Sequence, residues 1–346
     1  MKRYLTVLFV FAFLNVFGQS KYEIKGFSEK YKGILTIEKG YENEVFKKGN
    51  IAIIESKTNA KIVEIDAEEL FFDLDSIGNV KTNVLELPYG EQSILIYQDF
   101  NFDGIKDLAV MDGQYSCYHG PSFQVYLEID NKLILSPEFT RLAQEYCGMF
   151  QTDYETETIH TMTKSGCCWH QFSTFKVVNN IPAPVLVVEE NAMDFPFHST
   201  IIIEWNGKER SEKMEKTIDL EQDGITEVFS FKLTKNQKEV VVFNINDEIL
   251  NYALLRPDGT VEFSYPIEME YKHPDFKINK EEGKLMFENQ NATYEIYEIN
   301  KQNKVEKVGI LVKVNGKRYD LKGDVNSLKG SLKDIQNVKL DNVIHE

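Results

Sequence analysis

The chain has 346 residues, 27% of them charged and 42% hydrophobic, with a formal net charge of −16 at pH 7. Acid in such excess argues against binding to phosphate backbones or anionic membranes and favours cations or basic proteins. Its length exceeds what one hydrophobic core usually organises, which predicts two domains.

Met1 to Gly18 reads as an export signal: Lys2 and Arg3 start it, Leu5 to Phe13 form a short apolar core, and Val16 and Gly18 are small or permissive. The apolar run is short for a membrane span, and no later segment approaches the roughly 18 apolar residues required. No cysteine lies near the cleavage region, so a lipid anchor is not indicated. The chain is expected in the periplasm or outside the cell, where loss of Lys2 and Arg3 takes the net charge from −16 to −18.

The N-terminal domain, expected over 19–190, opens with apolar, β-branched runs at Gly33–Glu38, Asn50–Glu55 and Lys61–Ile65, parted by polar turns. Ala67–Leu74 fits either a short helix or an edge strand. Ser93–Tyr97 and Leu108–Met111 are strands flanking the acidic bend Asp99-Phe-Asn101-Phe-Asp103-Gly104-Ile105-Lys-Asp107. A near-copy, Asp219-Leu-Glu221-Gln-Asp223-Gly224-Ile225-Thr-Glu227, returns 120 residues later. Oxygen-bearing side chains at positions 1, 3 and 5 converge only if the backbone wraps tightly, and glycine at position 6 permits the turn. Each bend therefore predicts a calcium site, with the main chain of Ile105 or Ile225 at position 7 and the acid of Asp107 or Glu227 at position 9. Position 12, a bidentate glutamate in an EF-hand, is Val110 or Ser230, so neither bend closes one. The strand-like residues that follow resemble instead the loops of FG-GAP and integrin-type repeats. At affinities on the order of 0.1 to 1 mM, millimolar calcium adds only about 0.4 to 1.4 kcal/mol per domain, a structural role.

Gln114–Phe123 is an aromatic, glycine-containing loop, and Tyr115, Tyr118, His119, Ser122 and Phe123 are its candidate partner-binding residues. Gln124–Ile129 and Leu133–Leu135 follow as strands, then a short helix capped by Ser136 with Pro137 at its first position. Thr158–Met162 and Gln171–Val178 flank a Gly166-Cys-Cys-Trp-His bend. Cys117, Cys147, Cys167 and Cys168 fall in one 52-residue window, and two disulfides are the default for an exported chain. Three pairings exist; the strain of a bond between neighbours places Cys117 and Cys147 each with one of Cys167 and Cys168. A zinc site of Cys117, His119, Cys168 and His170 is the alternative.

Pro182, Pro184 and Pro196 mark the boundary, placed at 190–198. The C-terminal domain, over 198–346, reads as strands at Ser199–Trp205, Glu239–Asn244, Asn251–Leu255, Thr260–Tyr265, Lys284–Phe287, Thr293–Ile299, Gly309–Val314 and Arg318–Leu321. A propeller needs at least four copies of the calcium-loop blade, and two occur. The expected fold is all-β: two β-sandwich or barrel-like domains, each with one calcium-loop hairpin, and a short helix.

No nucleophile elbow, zinc-protease motif or phosphate loop is present, and the expectation is a non-catalytic protein. A hydrolase using His119 or His170, and a cell-surface or carbohydrate-binding module, are the other classes. Tyr97–Val110, Tyr118–Tyr126 and Gly166–His170 together resemble a family of exported bacterial β-proteins related to periplasmic inhibitors of lysozyme-like enzymes. The resemblance covers about 90–178. It implies calcium at Asp99, Asn101, Asp103 and Asp107 and a basic peptidoglycan hydrolase as partner. The Ser-Gly-x-x-Tyr loop common in such inhibitors is absent.

Overall fold

The computed structural model describes residues 20–86, 90–266, 274–279, 281–302, 304–336 and 339–346. The expected export signal lies outside them. The chain divides into two compact units. The first holds the residues through Ser165 with His170–Val187 and Trp205–Glu209; the second holds Gly166–Trp169, Val188–Glu204 and Arg210–Glu346.

In the first unit, β1 (Lys21–Ile24), β2 (Tyr31–Ile37), β3 (Lys47–Glu55) and β4 (Lys61–Leu70) form an antiparallel meander. The ambiguous Ala67–Leu74 run thus completes β4 to Leu70, its residues alternating between buried and open in period two. A second meander joins β5 (Leu95–Gln98), β6 (Asp107–Ser116), β7 (Gly120–Ile129) and β8 (Lys132–Leu135). The two sheets enclose one core, with Leu35, Ile51, Ile53, Leu95, Val110 and Phe123 among its fully covered side chains.

Helix α1 (Pro137–Glu145) packs Phe139, Leu142 and Ala143 inward against β7. Its start is built as the sequence implies: Ser136 Oγ accepts the N–H of Phe139, and Thr140 Oγ1 accepts the N–H of Val125 at 2.9 Å. β9 (Gln151–Asp153), β10 (Thr158–Ser165), β11 (Trp169–Val178) and β12 (Ile181–Asn191) follow as successive neighbours. β12 takes Pro182 and Pro184, two of the prolines read as marking the boundary, into a strand. Residues two apart in a strand direct their N–H groups to the same side, so Pro182 and Pro184 remove donors from one ladder only.

β13 (Phe197–Asn206) and β14 (Glu209–Ile218), which lie in the second unit except for Trp205–Glu209, are adjacent. The remaining strands belong to the second unit. β15 (Ile225–Lys232), β16 (Glu239–Ile245), β17 (Ile249–Leu255) and β18 (Val261–Tyr265) form one sheet. β19 (Phe276–Asn279), β20 (Lys284–Asn289), β21 (Ala292–Lys301), β22 (Lys304–Val314) and β23 (Lys317–Lys322) form another. Strand β24 (Lys329–Gly330) extends the first of these beside β15, helix α2 (Leu332–Gln336) follows, and β25 (Val343–His345) pairs parallel to β19.

Val240 and Val242 of β16 enter a core with Phe229, Phe231, Tyr252, Phe276 and Phe287. Val241 and Phe243 enter a second cluster with Phe197, Ala253 and Val261. An apolar run buried on both faces explains why β16 lacks polar alternation. The protein is all-β, as expected.

Candidate functional site

The first acidic bend closes the β5–β6 hairpin, whose last ladder pair is Gln98 with Asp107. Gly104 turns the chain at φ 84°, a left-handed value that a side chain disfavours. Within the turn, Asp99 accepts the N–H groups of Asp103 at 3.2 Å and Gly104 at 2.9 Å. Asn101 Oδ1 accepts the Asp103 N–H at 3.3 Å, and Asp103 accepts the Ile105 N–H at 2.8 Å. The Asn101 amide donates to Asp103 and to Asn180 Oδ1, each at 2.9 Å. Asn180, on the β11–β12 turn, was not legible as part of this bend, because nothing in sequence joins residues 79 apart.

Asp107 is fully buried. Its two oxygens accept the N–H groups of Phe100 at 2.9 Å and Glu128 at 2.8 Å. Burial pushes its carboxyl up to about 7; the two N–H donors oppose that rise, and the charges of Asp103 and Asp99 add to it.

The second bend repeats the turn but not this focus. Gly224 also has φ 84°, Asp219 accepts the Glu221 N–H at 2.9 Å, and the Ile225 N–H closes on the Gln222 carbonyl at 3.2 Å. Glu227 is engaged elsewhere, by the Ser230 hydroxyl and, at 3.8 Å, by the Lys329 ammonium. The strands on either side, β14 and β15, lie in different sheets, so the expected second calcium-loop hairpin is not a hairpin.

Among the described residues, no group of three or more His, Cys, Asp or Glu side chains is placed to hold a metal ion. The donor chemistry of the first bend still fits a hard cation: three carboxylates and an amide oxygen serve one turn, and the buried Asp107 carboxylate feels the negative charges of Asp103 and Asp99. Asp219, Glu221, Asp223, Ile225 and Glu227 do not come together in this way.

The aromatic loop is a tight turn between β6 and β7. Gly120 N–H bonds the Cys117 carbonyl, and the two central residues are left-handed, Tyr118 at φ 53° and His119 at φ 60°. This is the type I′ arrangement, which favours Asn, Asp and Gly. The other consecutive left-handed pairs among the described residues, 130–131, 179–180, 246–247 and 315–316, are built only of Asn, Asp and Gly. Tyr118 and His119 therefore hold an unfavourable conformation while 61% of Tyr118 and 54% of the His119 side chain stay exposed.

What fixes the turn is Cys117, bonded to Cys147. The other bond joins Cys167 to Cys168, which corrects the expected pairing. The fold brings Cys117 and Cys147 within 4.7 Å at their Cα atoms, and the neighbouring pair bridges despite its short ring. With no free cysteine among the described residues, the alternative zinc site has lost its thiolates.

Tyr115 is also exposed, its ring lying over Gly113, where an added Cβ would meet it at 2.4 Å. Ser122 and Phe123 are fully buried, which removes them from the candidate contact surface. Ser122 Oγ donates to Asp112 at 2.6 Å and accepts the Tyr115 N–H at 3.2 Å, holding the turn from below. The Ser/His pair a hydrolase would use is thus not formed at this loop: Ser122 faces Asp112, and His119 Nε2 faces Glu69 at 3.0 Å.

No family model and no curated protein matches this chain. Among solved structures, one of a Xanthomonas Type IV Secretion System related protein is 19% identical with a TM-score of 0.43, over 55% of this chain and 92% of that one. One of a putative 6-phosphogluconolactonase from Bacteroides uniformis is 8% identical with a TM-score of 0.22, over 89% of this chain and 87% of that one. Neither likeness is close enough to carry an argument about this protein.

Proposed function

We propose that this is an exported, calcium-binding, non-catalytic protein that docks through the Tyr118–His119 turn onto a basic, lysozyme-like peptidoglycan hydrolase and inhibits it. The observation that carries the binding role is the turn: two exposed aromatic residues in a backbone state that costs about 1–2 kcal/mol each, over-determined by a disulfide and by the Ser122 hydroxyl beneath. Strain kept at an exposed aromatic tip is the pattern of a preorganised contact rather than of a spacer. Tyr115 extends the same surface.

Asp99, Asn101, Asp103 and Asp107, with the main chain at Ile105, would hold the calcium ion. The ion would set positive charge against the buried Asp107 and its neighbours Asp99 and Asp103, and pin the β5–β6 corner of the scaffold that presents the turn. The acidity of the chain, −16 overall, favours encounter with a basic partner.

The test is inhibition and retention of a panel of lysozyme types by the purified chain with calcium present. Inhibition of at least one, lost when Tyr118 and His119 are replaced, supports the proposal; a fully active and unretained panel ends it. Exposed ring faces also suit a sugar, so calcium-dependent retention on a glycan array would instead favour the surface or carbohydrate-binding module.

A further inference from the structure

Three segments distant in sequence bring aromatic rings to the Tyr118–His119 turn. Phe46 precedes β3, Phe71 follows β4, and His119 tops the turn; Phe46 lies 5.2 Å from the His119 ring and 6.4 Å from Phe71, centre to centre. Phe46 is 39% exposed and Phe71 42%, although the core of the same unit covers its phenylalanines almost completely. Glu69, one residue before the end of β4, sets its carboxylate 3.0 Å from His119 Nε2. A nitrogen heterocycle held between an aromatic ring and a carboxylate occupies the place that recognition of a cation requires. Tyr118 shows the same preference in its own ring, over which the Lys164 ammonium lies at 5.0 Å.

The lysines close to these residues in sequence are already engaged. Lys47 donates to the Glu44 carbonyl, and Lys48 bonds Glu68 at 3.0 Å. The chain carries 55 acidic against 39 basic residues, so a cation supplied from outside meets a favourable field.

We propose that Phe46, Phe71 and Glu69, beside His119, form a receptor for one arginine side chain of a protein partner. The guanidinium plane stacks on an exposed ring while its N–H groups reach the Glu69 carboxylate, which His119 shares or yields. Arginine is favoured over lysine because a planar, weakly hydrated fork can stack and donate at once. The inference deepens the binding reading above and rests on it, since it says what that face recognises.

The experiment is a titration of the isotope-labelled chain with Nα-acetyl-arginine amide, followed by backbone amide chemical shifts, with Nα-acetyl-norleucine amide as apolar control. The proposal expects millimolar binding with shifts grouped at Phe46, Glu69, Phe71, Tyr118 and His119, and none from norleucine. Glu69→Gln should weaken the arginine response about tenfold, the loss expected for one charge-assisted hydrogen bond. Equal shifts from norleucine would mean a merely apolar patch and would overturn it. So would shifts scattered over other acidic surface, or an unchanged response in Glu69→Gln. Arginine binding here by a chain that inhibits no hydrolase would retain this inference and end only the choice of partner.

Discussion

Replacing Tyr118→Asn and His119→Gly together separates a turn kept for contact from one kept for packing. The pair Asn-Gly is what a type I′ turn favours, so the change relieves most of a backbone penalty of about 1–2 kcal/mol per residue, or about 2–3 kcal/mol in all. Against that stand the Lys164 ammonium over Tyr118, worth about 0.5–1 kcal/mol at an exposed site, and the His119–Glu69 contact, worth about 0.2–1 kcal/mol. The lost ring contact of His119 with Phe46, about 0.5–1.5 kcal/mol, offsets most of the remainder, so the balance is close to zero. Urea unfolding of the two proteins at matched calcium reads it as a midpoint that rises or holds. Partner affinity should meanwhile fall about 30-fold or more, since loss of one or two anchoring side chains at an interface costs about 2 kcal/mol or more. A midpoint lowered by the equivalent of about 1 kcal/mol or more would refute the reasoning, because Tyr118 and His119 would then be structural.

Cys117→Ser with Cys147→Ser opens a loop spanning a sequence separation of 30 and should cost about 3–4 kcal/mol, read as a lower unfolding midpoint with a steeper slope, since the freed unfolded chain exposes more surface. Phe123→Ala should cost about 3–5 kcal/mol and leave partner binding by the surviving folded fraction intact, because the ring lies wholly in the core. Asp107 has a folded-state pKa raised from 3.8 to about 7, so in chelator-treated protein the native state keeps a proton that the unfolded chain releases. Its contribution is therefore fully present below pH 4 and declines as pH climbs to 7, by up to about 4 kcal/mol. Asp107→Asn should flatten that decline in a series of unfolding curves, and an unchanged slope would show that Asp107 titrates normally.

Features specified by neighbours along the chain were legible in the sequence. Ser136 and Pro137 announced α1, and the glycine of each acidic bend announced its turn, since a cap or a left-handed residue acts within four positions. Period two alone would have placed Phe123 inward, on the face of Val125 and Leu127; weighing it as an aromatic loop residue obscured that. What failed depends on distance. The Cys117–Cys147 bond follows from where β6 and the end of α1 meet, and the likeness of the two acidic bends hid that only one joins paired strands. Phe46 and Phe71 carry no local mark at all, because only the folded sheets bring them to His119.

Calorimetric titration of calcium into the chelator-stripped chain, beside Asp103→Ala, decides whether the first acidic bend is a metal site. One ion is expected, held at a dissociation constant on the order of 0.1 to 1 mM, with that binding abolished by the substitution. No binding by the unaltered chain, or the same binding by Asp103→Ala, would contradict it.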